Sequence, residues 1–252
     1  GTPKIESVGS LAFGPDGILF VSDNLGATVF AIAVVDADEE SGHSEINVEN
    51  LDTHLAEYLG CSRDDAFIRD MAIHPSSADV YLSVMRGSGE AAIPILIKVG
   101  TDGTFSEVLL DNVPFSQTSI EDAPAEGDTR SEARLVQGSR EGEIVEPRPG
   151  FRLRITRDQL RTITVTDMAY VDGILLVAGA SNEEFSSTLR RFPFPFKGNA
   201  QSNSLEIYHV SHANYETASP TRTFVPYGGN TNVLASYTCT PVVHFSLRDL
   251  KP

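Results

Sequence analysis

The sequence has little cysteine, few basic residues and no long apolar run. Cys61 and Cys239 stand far apart and show no zinc-type spacing. They could close a long loop as a disulfide or remain two buried thiols, and both alternatives stay open. Every apolar run is far shorter than the roughly 18 residues that a membrane-spanning helix needs. These absences exclude a transmembrane helix and give no cysteine metal site.

Basic residues number 19 against 35 acidic residues, so the formal net charge is -16. Nucleic acids and anionic membranes are bound through basic surfaces, so the composition argues against both as partners. The acidic excess has two interpretations. It either keeps a globular surface soluble, or it gathers some carboxylates around a cation such as calcium.

Catalytic signatures are missing as well. The chain has no Gly-x-Ser-x-Gly, P-loop or dinucleotide-binding motif, and its six histidines have no HExxH-type spacing. We therefore assign no catalytic and no cofactor-binding residue from the sequence. The first residues are Gly-Thr-Pro rather than Met, which fits removal of a secretory signal and leads us to expect a secreted or periplasmic protein.

What the chain does have is a recurring pattern of short apolar runs, seen first in residues 10–35. The runs there are separated by the turns Gly-Pro-Asp-Gly at 14–17 and Ser-Asp-Asn-Leu-Gly at 22–26. Short runs between such turns predict an antiparallel meander, and three strands make most of a propeller blade. We expect an outer strand at 46–48 and then an amphipathic helix that Gly60 caps.

The pattern returns in residues 68–110, 165–210 and, more weakly, 222–247. The tripeptide Asp-Met-Ala opens two of these units, at Asp70 and Asp167. A repeat of about 60 residues with four strands per unit predicts an all-β fold, a β-propeller of four or more four-stranded antiparallel blades. The ring is either a small four-to-five-bladed propeller or part of a larger one, which more chain or a second copy would complete.

Residues 116–152 interrupt the repeat. They are rich in Glu, Pro, Gly, Ser and Arg and poor in apolar residues. Within the single domain expected over 1–252, this composition favours a long flexible loop between blades over the alternative, a divergent extra blade. The run 190–197, with three Phe separated by Pro, is either an edge strand that packs its rings between blades or a partner-binding groove.

The stretch LAFGPDGILFVSDNLGATVFAI at 11–32 resembles the repeat of NHL-type propellers and of the senescence-marker-protein/gluconolactonase family, which share a Gly-Pro-Asp-Gly hairpin. Weaker copies lie at 68–84 and 166–177. The resemblance implies a fold like that of six-bladed propellers. The second family further implies a calcium-dependent lactonase or esterase-like hydrolase. Its divalent cation, often calcium, sits at the tunnel mouth on Glu, Asn and Asp ligands, and Glu6 stands in the place of its first-blade Glu.

Hairpin topology groups the polar residues of the repeat. Residues just before a blade's first strand and just after its second lie on the same face of the ring. We predict that this face carries a cation or polar-ligand site formed by Asp23, Asn24, Asp70, Asp167, Asn182 and Glu183. The alternative for Asp70 and Asp167 is structural, because such carboxylates can accept hydrogen bonds from backbone amides where a strand begins and so brace the blade.

Two functions are compatible with these features. The favoured one is a non-enzymatic binding scaffold that presents the acidic face to a small polar ligand or a protein partner, with calcium as a candidate cofactor. The alternative is the calcium-dependent hydrolase, in which the cation polarises a carbonyl and a carboxylate handles the proton. We expect no nucleic acid and no membrane span. Self-association is a further expectation, because an open ring has exposed strand edges.

Overall fold

The structure is a computed structural model that describes residues 1–34, 46–135, 142–210, 213–238, 240 and 242–250. The chain divides into two compact units, Gly1–Ile120 and Glu121–Pro252, where the sequence predicted one domain over 1–252. The described residues form one α-helix, short 3-10 turns and many antiparallel strands, so the predicted all-β class with four-stranded blades is confirmed. None of the helical segments in those ranges has the length and hydropathy that crossing a bilayer requires.

In its described residues, 1–34 and 46–120, the first unit contains one α-helix and two four-stranded antiparallel sheets. Its elements are β1 (Leu11–Phe13), β2 (Ile18–Asp23), β3 (Thr28–Ala33), α1 (Leu51–Leu59), β4 (Ala66–Ile73), β5 (Val80–Arg86), β6 (Ile93–Val99), β7 (Phe105–Glu107) and β8 (Phe115–Ser119). The sheet orders are β1-β2-β3-β8, called blade 1, and β4-β5-β6-β7, called blade 2. Leu19, Phe20 and Val21 of β2 are all fully buried. Because successive side chains of a strand point to opposite faces, both faces of β2 are covered.

Blade 1 is completed by β8, a strand that follows blade 2 in the sequence. β8 pairs with β3 in an antiparallel register that places Thr28 opposite Ser119. The rings of Phe30 and Phe115 on these strands lie 6.1 Å apart. The outer strand expected at 46–48 is wrong, because those residues are not in a strand and β8 occupies the open edge of β3. Blade 2 is therefore inserted between the third and fourth strands of blade 1.

The helix α1 lies where the sequence predicts it. Gly60 ends it in the left-handed conformation, with φ 65°, and its amide donates to the carbonyls of Ala56 and Glu57. A glycine adopts this conformation without a steric penalty, which is why it caps helices so often. Leu55 is fully buried in a cluster with blade 2 residues such as Leu82. The helix therefore packs against blade 2.

The second unit contains four sheets in its described residues. Its strands are β9 (Ser131–Leu135), β10 (Glu143–Arg148), β11 (Phe151–Gln159), β12 (Asp167–Val171), β13 (Ile174–Ala180), β14 (Ser187–Pro193), β15 (Gln201–Ser204), β16 (Tyr208–His209), β17 (Asn214–Tyr215), β18 (Thr223–Tyr227), β19 (Asn232–Ser236) and β20 (Val243–Ser246). Strands β12 to β15 form blade 3, β18 to β20 form the three-stranded blade 4, and β16 pairs with β17. The remaining sheet has the order β10-β11-β9. Blades 3 and 4 share one core, in which Leu176, Leu189, Phe224 and Val233 are buried.

The described residues of the segment 116–152, for which composition favoured a flexible loop over a divergent extra blade, include strands. The segment contains most of β8, the described strands β9 and β10, and the start of β11. Along β9, Glu132 and Arg134 alternate with Ala133 and Leu135, which is the period of two that a strand requires. The charged half of this alternation lowers the apolar content of the segment. A composition argument therefore misses the strand.

Candidate functional site

The Asp-Met-Ala repeat places a carboxylate between neighbouring blades of the same unit. In the first unit Asp70 lies on β4, and its Oδ2 accepts a hydrogen bond from the Leu11 amide of β1 at 2.8 Å. Its Oδ1 accepts a second one from the Met71 amide at 2.7 Å. The carboxylate thus joins the first strand of blade 2 to the first strand of blade 1.

Asp167 repeats this arrangement in the second unit, from β12 to β18. Its Oδ2 accepts hydrogen bonds from the Phe224 amide at 2.8 Å and the Thr223 hydroxyl at 2.6 Å. Its Oδ1 accepts one from the Met168 amide at 2.8 Å. Burial raises the pKa of Asp167 above its usual value, and these hydrogen bonds partly oppose the shift. The repeated contact supports the structural interpretation of Asp-Met-Ala.

Asp23 is only 1% exposed and holds the N-terminal segment against the turn after β2. Its carboxylate oxygens accept hydrogen bonds from the amides of Glu6, Ser7 and Gly26 and from the Ser7 hydroxyl, at 2.8 to 3.0 Å. Asn24 follows in the same turn and is half-buried. Asp23 therefore braces the turn and the N-terminal segment, and Glu6 contributes its backbone amide to that brace.

A calcium site needs several oxygen ligands that can turn toward one cation. The carboxylates of Asp23, Asp70 and Asp167 are instead each bonded to two or more donors of their own unit. In the described parts of the chain, no three carboxylate, imidazole or thiol side chains are grouped as metal ligands. The contacts that these three aspartates make explain their positions, and a role in binding calcium stays a prediction.

The other two residues predicted for the site, Asn182 and Glu183, lie at a pocket of the second unit. The pocket has a volume of about 520 Å³. This acidic groove is lined by Asp122, Ser181, Glu183, Glu184, Phe185, Thr188, Ser202, Ser204 and Glu206. Four of these residues are carboxylates, four carry hydroxyls, and none of the nine is basic. Asn182 does not line the groove, but its amide donates to the backbone carbonyl of Asp122 at 2.8 Å.

Asp122 is held in the groove wall by a buried arginine. The side chain of Arg190 is 1% exposed, and its Nε donates to Oδ1 of Asp122 at 2.6 Å. Its other nitrogens donate to the carbonyls of Thr164 and Ala180 at 2.9 and 2.6 Å. The hydroxyl of Ser202 donates to Oδ2 of Asp122 at 2.9 Å. Burial lowers the pKa of the Arg190 guanidinium, but Asp122 opposes this shift, and the guanidinium stays charged.

The remaining carboxylates of the groove are exposed. Glu183, Glu184 and Glu206 have no ion-pair partner among the residues that the structure describes. Two other lining residues, Ser181 and Thr188, are buried at 1% exposure. The groove therefore combines an uncompensated negative charge with buried hydroxyl groups, and it suits a polar ligand that carries a positive charge.

The nearby basic residue Arg130 does not neutralise the negative charge of the groove. Its guanidinium donates to the backbone carbonyls of Glu183 and Ser181, at 2.5 and 3.4 Å. It also binds the carboxylate of Asp128 at 2.7 Å, and this contact lowers the pKa of Asp128. The positive charge of Arg130 is thus matched by a carboxylate that does not line the groove.

Aromatic side chains adjoin the groove. The ring of Phe185, a lining residue, lies 6.2 Å from that of Tyr215, which in turn lies 5.4 Å from that of Tyr208. Tyr208 and Tyr215 are 47% and 53% exposed. Aromatic faces attract cations, so these rings extend the surface that a cationic ligand could contact.

Outside the groove lining, the second unit buries an ion-pair network. Glu132 on β9 forms an ion pair with Arg222, and its Oε1 accepts hydrogen bonds from the hydroxyls of Ser219 and Thr238 at 2.8 Å each. Arg222 also contacts Asp158 of β11 at 3.4 Å. Burial raises the pKa of Glu132, and the charge of Arg222 partly opposes this shift. The network ties the sheet of β9 to β11 to the start of blade 4.

The remaining sequence candidates have structural positions of their own. Phe192 is buried, and the rings of Phe194 and Phe196 lie 5.3 Å apart in an edge-on contact. This agrees with the interpretation of 190–197 as packing residues. Cys61 is half-buried, and Cys239 lies outside the described residues, so their pairing stays open.

Sequence reasoning missed Asp122, Arg190 and Glu206. Arg190 interrupts an apolar strand, and a charge inside such a run is the signal that could have identified a buried, paired arginine. Asp122 is 68 positions away, within the segment predicted as a loop, and its local sequence gives no sign of its partner.

No family model matches the chain, and no curated protein sequence matches it. Similar solved structures include a luciferin-regenerating enzyme, with 9% identity over 93% of this chain and 85% of that chain and a TM-score of 0.38. A putative gluconolactonase has 11% identity over 96% and 91%, with a TM-score of 0.32. Extracellular domains 1–2 of Drosophila Semaphorin 1b have 12% identity over 99% and 54%, with a TM-score of 0.36. The identities of these three structures to the chain are 9 to 12% and their TM-scores are below 0.5, so they are similarities only.

Proposed function

We propose that the chain is a propeller-type binding scaffold whose acidic groove takes a polar ligand with a cationic group. One observation carries the proposal. Glu183, Glu184 and Glu206 face the groove without a cationic partner among the described residues, whereas Asp122 is already paired with Arg190. A ligand with a positive charge would supply the missing counter-charge, and the groove hydroxyls would bind its polar groups.

The nature of the cation is part of the proposal. Calcium is one candidate, because carboxylate and hydroxyl oxygens are the ligand types that it prefers. An organic ammonium group is the other, because Phe185 and the exposed rings of Tyr215 and Tyr208 adjoin the carboxylates. The hydrolase alternative has less support, since Asp23, Asp70 and Asp167 are engaged as braces.

Isothermal titration of the chelator-treated protein with calcium chloride, and separately with spermidine, tests this function. We expect saturable binding of at least one of them. The double variant Glu183→Gln/Glu206→Gln should weaken that binding by about tenfold or more, because two charges of the groove are lost. Glu107→Gln, an exposed carboxylate on β7 of the first unit, is the matched control. Lack of saturable heat with either probe, or equal weakening by the control, would contradict the proposal.

A further inference from the structure

Arginine is concentrated in one part of the second unit. Residues 130–161 contain eight arginines, no lysine and five acidic residues, in a chain whose net charge is -16. Strands β10 and β11 form an antiparallel hairpin within this range. We call this hairpin, residues 143–159, the arginine arm; it contains four of the eight arginines and three of the five acidic residues.

The arginine arm has no hydrophobic core of its own. None of its described residues is fully buried, and Ile144 and Phe151 are 56% and 42% exposed. Isolated hairpins are marginal in water, so the arm depends on its attachment. The attachment is the pairing of residues 155–159 of β11 with β9, and Asp158 adds ion pairs with Arg134 at 2.8 Å and Arg222 at 3.4 Å. The turn end of the hairpin presents its side chains to solvent.

The arginines near the turn are only weakly engaged. Arg152 lies 3.4 Å from Glu146, and the two side chains are 75% and 42% exposed. Such exposed ion pairs contribute little to stability. The guanidinium of Arg148 lies 4.8 Å from the ring centre of Phe151. Arginine and exposed aromatic side chains are the residue types that protein interfaces favour, so this end can exchange weak contacts for those of a partner.

We propose that the turn end of the arginine arm binds an acidic protein segment that also carries apolar side chains. The planar guanidinium of an arginine pairs well with a carboxylate, through two parallel hydrogen bonds. Phe151, which lies opposite Arg148 beside the turn, supplies the apolar part of the contact. Charge complementarity favours a protein over a nucleic acid. Outside residues 143–159 the chain has 32 acidic and 15 basic residues, and it repels a polymer with closely spaced negative charges more than a segment with a few.

The test uses the full chain and a dye-labelled short peptide of alternating Glu and Val, with fluorescence anisotropy as the readout. We expect binding that weakens as salt is added. Replacing Arg148 and Arg152 together by Ala should weaken it about tenfold, because two charge pairs are lost. Arg63→Ala is the matched control, since Arg63 is an exposed arginine of the first unit in an ion pair with Asp52. The Arg63→Ala variant should bind the peptide as tightly as the unmodified chain does.

Further binding experiments distinguish the proposed acidic protein segment from other partners of the arginine arm. The groove variant Glu183→Gln/Glu206→Gln should bind the peptide normally, which separates this proposal from that of the groove. Phe151→Ser should reduce the preference for the Glu-Val peptide over a Glu-Ser peptide, and this readout stands even where the double arginine variant fails to fold. Three results overturn the proposal: no peptide binding, equal weakening by Arg63→Ala, or tighter binding of a single-stranded oligonucleotide of equal charge. Self-association that the arginine variant abolishes would also overturn it, because the occupant is then a second copy.

Discussion

The carboxylate of Asp70 accepts a hydrogen bond from the backbone amide of Leu11 at 2.8 Å, across 59 positions of sequence. Asp167 accepts one from the amide of Phe224 at 2.8 Å, across 57 positions. Each contact joins the first strands of two neighbouring blades in one unit. The first strand of a blade is an edge strand whose outer amides have no ladder partner, and the aspartate supplies an acceptor for one of them.

We expect Asp70→Ala to lower the free energy of unfolding by about 1 to 3 kcal/mol, because the Leu11 amide loses its acceptor in a partly buried contact. Urea unfolding followed by circular dichroism measures the change. Asp64→Ala, in the exposed turn before β4, is the control and should stay within about 0.5 kcal/mol of the unmodified chain. Equal effects of the two substitutions would show that the contact contributes nothing.

The raised pKa of Asp167 predicts the direction in which the stability of the chain changes with pH. Burial raises its pKa in the folded chain above that of the unfolded chain, where an aspartate titrates near about 3.9. Between these two values only the folded state keeps the proton, so the contribution of Asp167 to stability is full below this window and declines as pH rises through it.

The matched comparison is Asp167→Asn, which cannot titrate. The free energy of unfolding of the unmodified chain minus that of the variant should fall as pH rises from about 3 through the raised pKa, and then level off. Urea titrations at a series of pH values give this difference. An increase over the same range would mean that the carboxylate is stabilised in its charged form and would contradict the assignment.

Breaking the ion pair of Asp122 and Arg190 in the groove wall should lower the free energy of unfolding strongly. Asp122→Ala leaves a guanidinium that is 1% exposed without its carboxylate, and we expect a loss of about 3 to 5 kcal/mol. Adding Arg190→Met should recover part of that loss, because the unpaired buried charge is removed as well. Urea unfolding of both single variants and the double variant gives the coupling energy. A coupling near zero would be inconsistent with a direct ion pair.

Local features of the sequence were enough to predict most strands. The strand Ile93–Val99 and the helix Leu51–Leu59 lie where apolar spacing and turn residues indicate them, because those signals depend on near neighbours only. The pairing of β8 with β3 could not be predicted in the same way. The local pattern indicated an outer strand at 46–48 and a loop at 116–119, and the observed pairing depends on the insertion of a whole blade.

In the candidate site, too, some residues could be predicted from their near neighbours in sequence and others could not. Glu183 was identified from its place after the second strand of a blade, and it does line the groove. For Asp70 and Asp167 the sequence offered the structural alternative of a bond to backbone amides, but it did not identify the amides of Leu11 and Phe224. The pair of Asp122 and Arg190 joins residues 68 positions apart, so its two halves look unrelated until the chain is folded.

The position of β8 gives a prediction with a control on the neighbouring residue. In an antiparallel strand alternate residues direct their amides to the same side. The Ile120 amide donates to the Ala27 carbonyl at 2.8 Å, so the amide of Thr118, two positions earlier, also faces β3, and that of Gln117 faces away. A proline at 118 removes a donor to β3, whereas a proline at 117 removes an outward one.

We therefore expect Thr118→Pro to lower the free energy of unfolding by about 1 to 3 kcal/mol more than Gln117→Pro, because only the first substitution breaks the ladder. Both variants restrict the backbone in the same way, so the difference isolates the hydrogen bond. Urea unfolding measures it, and hydrogen exchange at the amides of β3 provides a second readout that should rise only in Thr118→Pro. If residues 115–119 were the loop that their composition indicates, the two prolines would have equal and small effects, and blade 1 would lack its fourth strand.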